Sequence, residues 1–126
     1  EELLPIRSEF VLASRFGGLE PPIDTVFIHI KEHNAYLKSC QNVLKLGFQG
    51  KMCIHPDQVA VTNETFTPSE EEVVWSKRVI SEFERAEAEG VASIQVDGYF
   101  VDYPIVEKAQ RVVDMSNLLN DLASSK

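Results

Sequence analysis

The chain has 126 residues, 44% of them hydrophobic and 25% charged, which suits one globular domain with a modest core and argues against a disordered class. Its net charge of −8 scatters 12 Lys and Arg among 20 Asp and Glu, so no basic surface is expected for a nucleic-acid partner. No apolar run approaches the roughly 18 residues that read as a membrane span, so no membrane partner is expected either.

Residues 5–16 read as a helix, with Pro5 in the first turn, apolar residues at Ile6, Phe10 and Ala13, and Gly17-Gly18 as the stop. Residues 23–30 form an almost continuous β-branched and aromatic run, the pattern of a strand buried on both faces in a parallel sheet. A second helix is expected over 35–46, with Leu37, Cys40, Val43, Leu44 and Leu46 along one side and Gly47 ending it. Lys51 to Ile54 then reads as a short strand that breaks at His55-Pro56, with Gly47 and Gly50 supplying tight turns. Strand, helix, strand at this separation is a βαβ unit, so the fold class is α/β with a parallel pair.

A short helix is expected over 57–65, and a longer one from Pro68 to about Glu89, entered through a capping box of Thr67 and Glu70. Along it, Val73, the stem of Lys77, Ile80, Phe83 and Glu87 follow one another on one side, and Trp75 reads as packing. Asp97-Gly98 lies between the apolar segments 93–96 and 99–101, the signature of a two-residue hairpin. Pro104 opens a last helix to about Leu119, followed by a frayed polar end.

Two strands with their helices cannot cover a sheet buried on both faces. The opening helix would ordinarily follow a strand, so further structure is expected ahead of residue 1. The first residues carry no basic segment of the kind that begins a signal peptide, and a targeting segment farther upstream stays open. Cys40 and Cys53 lack any C-x-x-C or zinc-type spacing and read as reduced thiols of an intracellular protein.

Four segments, in order, carry a resemblance. Leu46 to Val59 is similar to the LGF-x-GK-x-x-IHP-x-Q segment of the citrate lyase β-subunit and malyl-CoA lyase family. Ahead of it, Ile23-Asp24-Thr25-Val26 resembles the family's AID-x-V strand, with Pro22 in place of alanine. After it, Phe66 to Val73 resembles F-x-PS-x-EE-x, and Asp97 to Pro104 resembles DG-x-M-V-D-x-P, with Phe100 in place of methionine. The resemblance spans about residues 5–115. It implies a (β/α)8 TIM barrel, a fold of about 250 residues, of which this chain would be the last two strands and their helices (residues 1–90) plus a C-terminal flap of hairpin and helix (91–126).

The resemblance further implies reversible, Mg²⁺-dependent cleavage of a 3-hydroxyacyl-CoA, such as malyl-CoA or citramalyl-CoA, to a short acyl-CoA and an α-keto acid. The family's Glu and Asp metal ligands and an active-site Arg lie ahead of the matched region, so no metal ligand is assigned here and this chain alone is expected to be inactive. Asp102 corresponds to an acid/base aspartate on a flap that closes over a neighbouring subunit's site; by local sequence alone it reads as a helix-entry residue. Ile54 and His55 correspond to the exit of the last barrel strand, where backbone groups touch the CoA thioester, and the His55 ring is expected to orient the loop.

The other candidates keep two readings each. Asp24, a carboxylate inside an apolar strand, is either hydrogen-bonded structurally or near the substrate pocket. Lys51 meets a CoA phosphate or is solvated. His29 and His33 have no second ligand nearby in sequence, and Glu70 to Glu72 read as the acidic first turn of a helix. A homo-oligomer, trimer or hexamer, is implied, in the cytoplasm or, in a eukaryote, the mitochondrial matrix. The alternative function is a non-catalytic oligomerisation or binding module of the same descent.

Overall fold

A computed structural model describes residues 2–125 as two compact units, Glu1–Phe66 and Thr67–Lys126. In the first unit, α1 spans Leu4–Phe16, β1 Ile23–Asp24, α2 His33–Leu46, β2 Gly50–Lys51 and α3 Pro56–Phe66. In the second, α4 spans Glu70–Ala88, β3 Ile94–Val96, β4 Tyr99–Val101 and α5 Tyr103–Ser124. The units part at 66/67, and α4 shares its core with the hairpin and α5.

β1 and β2 pair in parallel, Ile23 opposite Gly50 and Asp24 opposite Lys51, with α2 as the crossover. The Met52 amide donates to the Asp24 carbonyl at 3.0 Å and carries the ladder one step on. Both strands are shorter than the apolar runs foretold. A strand needs a partner backbone, and residues 25–30 and 52–54 have no such partner beyond that step among the described residues. Nor is the run buried on both faces: Asp24 is buried, but Ile23 and Ile28 are 59% and 70% exposed, since no element of this unit covers them. The apolar side of α1 is similarly open. Ile6 and Phe10 line, with Ile23, Phe48 and Met52, an apolar groove of about 270 Å³.

α2 buries Tyr36, Cys40 and Val43, an i, i+4, i+7 stripe that shares Cys40 and Val43 with the expected side but centres on Tyr36, leaving Leu37 and Leu44 exposed. It stops at Gly47, whose φ of +102° lets the Phe48 amide reach back to the Val43 carbonyl and the Gly47 amide to Leu44. Gly50 belongs to β2 and makes no turn.

α4 starts two residues later than its sequence signal. Ser69, not Thr67, is the N-cap: its hydroxyl accepts from the Glu72 amide while the Glu72 carboxylate accepts from the Ser69 amide. Val79 and Phe83 of α4, Val96 and Val101 of the hairpin and Ala109 of α5 form the core of this unit, with Trp75 packed against it. Asp97 and Gly98 both have positive φ, 51° and 83°, the geometry a two-residue hairpin loop requires. α5 continues to Ser124, so the polar end expected to fray is helical.

Candidate functional site

The chain leaving β2 runs through Met52, Cys53 and Ile54 to His55, where Pro56 opens α3. Gln58, one turn into α3 and buried, ties this exit down. Its side-chain carbonyl accepts the Ile54 amide at 2.9 Å, its NH₂ donates to the Phe27 carbonyl at 2.9 Å, and its backbone amide donates to the His55 carbonyl at 3.0 Å. The Ile54 side chain is 53% exposed. His55 Nδ1 accepts the Asp57 amide at 3.3 Å, which requires that nitrogen to be unprotonated; the Asp57 carboxylate, 3.5 Å away, pairs with it only in the protonated ring. Ile54 and His55 therefore lie together in one anchored loop, in which the ring contacts Asp57.

Beneath the loop is a directional hydroxyl chain. Thr62 Oγ1 donates to the Gln58 carbonyl at 2.8 Å, so Tyr36 Oη must donate to Thr62 Oγ1 at 2.6 Å, and Cys53 Sγ lies 3.2 Å from the same oxygen. Burial, reinforced by Cys53, raises the Tyr36 hydroxyl well above the ordinary tyrosine range. Burial also pushes the Cys40 thiol up, against the opposing Tyr36 and Thr62 hydroxyls. Both cysteines are free thiols, Cys40 buried and Cys53 exposed.

Asp24 takes the structural role. Its buried carboxylate accepts from Arg7 Nε at 3.0 Å and from Lys51 Nζ in a short contact. Burial alone would raise its pKa, but the Lys51 and Arg7 hydrogen bonds prevail and hold it below the ordinary carboxylate value. Lys51 is thus neither solvated nor free to meet a phosphate: its side chain is 1% exposed, because β2 carries it directly opposite Asp24.

In the second unit, Asp102 is the N-cap of α5, with extended backbone at φ −133° and ψ −176°. Its carbonyl accepts from the Ile105 and Val106 amides at 3.1 and 3.0 Å, yet its half-buried side chain makes no capping bond. Two contacts to α4 frame it. Arg78 reaches Asp97 at the hairpin turn at 3.0 Å while also bonded to Glu82, and those two carboxylates raise its pKa. Tyr103 donates to Glu87 at 2.8 Å, which raises the phenol's pKa, and its ring meets Phe83 edge-on at 5.0 Å.

Among the described residues, no group of three or more His, Cys, Asp or Glu side chains could hold a metal ion. The acidic residues Glu70 to Glu72 form the first turn of α4 as read, with Glu72 spent in the capping box.

No protein-family model matches the chain. Over all 126 residues it is 34% identical to the citrate lyase subunit beta of Leuconostoc mesenteroides subsp. cremoris, matching 41% of that protein. Over 121 residues, 96% of its length, it is 29% identical to the mitochondrial citramalyl-CoA lyase of Rattus norvegicus, matching 36% of that protein. The chain is a relative of the citrate lyase β subunits and citramalyl-CoA lyases. It spans about two fifths of the length of these relatives, 41% and 36%. Its fold matches CitE from Mycobacterium tuberculosis, a structure in complex with magnesium, acetoacetate and coenzyme A, with a TM-score of 0.75 over 93% of this chain and 42% of that one, at 23% identity. The α/β class follows from that likeness.

Gln58 lies within the segment similar to citrate lyase β subunits, which by itself assigns it no role. Glu87 is legible only as part of one side of a helix and Arg78 not at all, since a charged residue on a helix looks the same whether or not it reaches another element.

Proposed function

We propose that this chain supplies the acyl-CoA-facing loop and the acid/base flap of a carbon–carbon lyase. Its substrate is a 3-hydroxyacyl-CoA of the malyl-CoA or citramalyl-CoA type, cleaved reversibly to a short acyl-CoA and an α-keto acid. The first unit is then the closing part of a TIM barrel, with Ile54 and His55 at the strand exit where such barrels bind ligands. The observation that carries the reading is Asp102: it stands at a helix entry, half-buried, with a carboxylate that caps nothing. A carboxylate left free at the end of a hairpin anchored through Arg78 and Tyr103 is suited to exchange a proton with a substrate oxygen or acyl carbon. The sequence relationship to citrate lyase β subunits and citramalyl-CoA lyases supports the substrate class.

The magnesium dependence belongs to the proposal for the whole enzyme. The described residues offer no metal cluster, so the carboxylates that hold the ion are assigned outside them, and no step of this chain's chemistry runs through it. Asp102 is proposed to serve a neighbouring subunit of a homo-oligomer. A mitochondrial setting is one option, given the mitochondrial citramalyl-CoA lyase relative, and among the described residues no helix is long and apolar enough to cross a membrane.

The test is turnover of malyl-CoA and citramalyl-CoA by the whole protein, followed as release of the keto acid, with and without a chelator. Chelator-sensitive release of glyoxylate or pyruvate is expected. Binding of the thioesters with no bond cleavage, indifferent to metal, would sink the lyase reading.

A further inference from the structure

Gln58 uses its side-chain amide in an uncommon way. It stands inside α3, at 3% exposure, yet neither end of the amide serves its own helix. The carbonyl end takes the Ile54 amide and the NH₂ end holds the Phe27 carbonyl, each at 2.9 Å, so one side chain joins the exit of β2 to the segment that follows β1. The Gln58 backbone adds two further bonds: its amide donates to the His55 carbonyl at 3.0 Å, and its carbonyl accepts from Thr62 Oγ1 at 2.8 Å.

These bonds consume the Ile54 N–H and the His55 C=O. What remains is the peptide between the two residues: among the described residues, neither the Ile54 carbonyl nor the His55 amide has a hydrogen-bond partner. A peptide with one open acceptor and one open donor, fixed in direction, complements a secondary amide. The arm of a coenzyme A thioester is built around secondary amides.

We propose that Gln58 is a positioning residue that spends the flanking backbone groups and presents the Ile54–His55 peptide to the amide-bearing arm of the acyl-CoA. This rests on the proposed function and deepens it: the loop recognises the arm through that one peptide, with Gln58 setting its orientation. Gln58 acts on binding and not on the bond that breaks.

The experiment compares Gln58→Met and Gln58→Glu with wild type in the whole enzyme, measuring KM for the acyl-CoA and kcat separately. Alongside it, amide hydrogen exchange at Ile54 is read in the same whole enzyme. Gln58→Met keeps the volume and removes both bonds. It is expected to raise KM about tenfold, the worth of roughly one hydrogen bond, with kcat within about threefold and Ile54 protection lost. Gln58→Glu keeps an acceptor for the Ile54 amide and no donor for Phe27, so its KM is expected between the two; it also serves if Gln58→Met does not fold. A folded variant with deprotected Ile54 and wild-type KM overturns the inference, as does a loss confined to kcat. A wild-type protein that turns over no acyl-CoA refutes the proposed function first, and this inference with it.

Discussion

Asp24 on β1 and Lys51 on β2 occupy opposed positions of the parallel pair and join carboxylate to ammonium in a buried ion pair. Arg7 from α1 adds a second cation to the same carboxylate, so three elements of the first unit meet at one charge. Removing Lys51 leaves the dry Asp24 carboxylate with Arg7 alone, whereas removing Asp24 leaves the Lys51 ammonium dry and uncompensated. Lys51→Met alone is expected to cost about 3 kcal/mol, the low end for a broken buried pair because Arg7 stays, and Asp24→Asn/Lys51→Met to recover a good part of that loss. Urea denaturation of Lys51→Met, Asp24→Asn, the double variant and the wild type measures it. Additive losses would mean that the pair is not coupled.

The same carboxylate sets a pH dependence. Its folded pKa lies below the ordinary value of 3.8, so its contribution is fully present above that value and is lost as pH falls through the folded pKa. Asp24→Asn should therefore be less stable at neutral pH and lose less on acidification below about pH 4 than wild type. Unfolding midpoints from pH 7 to pH 2 check the slope; parallel curves would remove Asp24 as a source of acid sensitivity.

A third expectation concerns the entry to α4. Ser69→Ala should cost about 1 kcal/mol, since it strips the acceptor from the Glu72 amide, while Thr67→Ala should cost little. Thermal unfolding of the two variants distinguishes the caps.

That cap shows how far local sequence reaches. Thr67, Ser69, Glu70 and Glu72 contain two overlapping capping boxes, and only the backbone at Ser69, extended at ψ 157°, decides which one forms. The hairpin was legible because Asp97-Gly98 leaves few other conformations open. Parallel pairing was legible too, since two apolar runs separated by a helix admit little else. The length of those strands was not, because ladder bonds depend on neighbours and not on the run itself. Of the candidate site, Ile54, His55 and Asp102 are put forward through resemblance to the lyases and not by local pattern. Gln58 went unassigned because its two partners, Ile54 and Phe27, lie 4 and 31 residues away, and only the fold brings them to one side chain.

The last prediction concerns Asp102. Its backbone carbonyl already serves Ile105 and Val106, and its side chain caps nothing, so the change to asparagine removes no observed bond. The stability of Asp102→Asn is expected to stay within about 1 kcal/mol of wild type, the range of a lost charge beside a helix N-terminus. Turnover of the 3-hydroxyacyl-CoA should instead fall by about 10²–10⁴-fold, the usual worth of a general acid or base, because asparagine has the size of aspartate but neither takes up nor delivers the proton. Affinity for coenzyme A should hardly change, since binding is assigned to the Ile54–His55 loop. If Asp102 serves a neighbouring subunit, mixing Asp102→Asn subunits with subunits disabled at the metal ligands should restore part of the activity, as some mixed interfaces then join an intact metal site to an intact Asp102. Unfolding curves, coenzyme A titration and steady-state rates separate these effects. A variant with wild-type turnover would leave Asp102 as the first residue of α5 and no more, and a variant that loses turnover only because it unfolds would place its carboxylate in a contact absent from this structure.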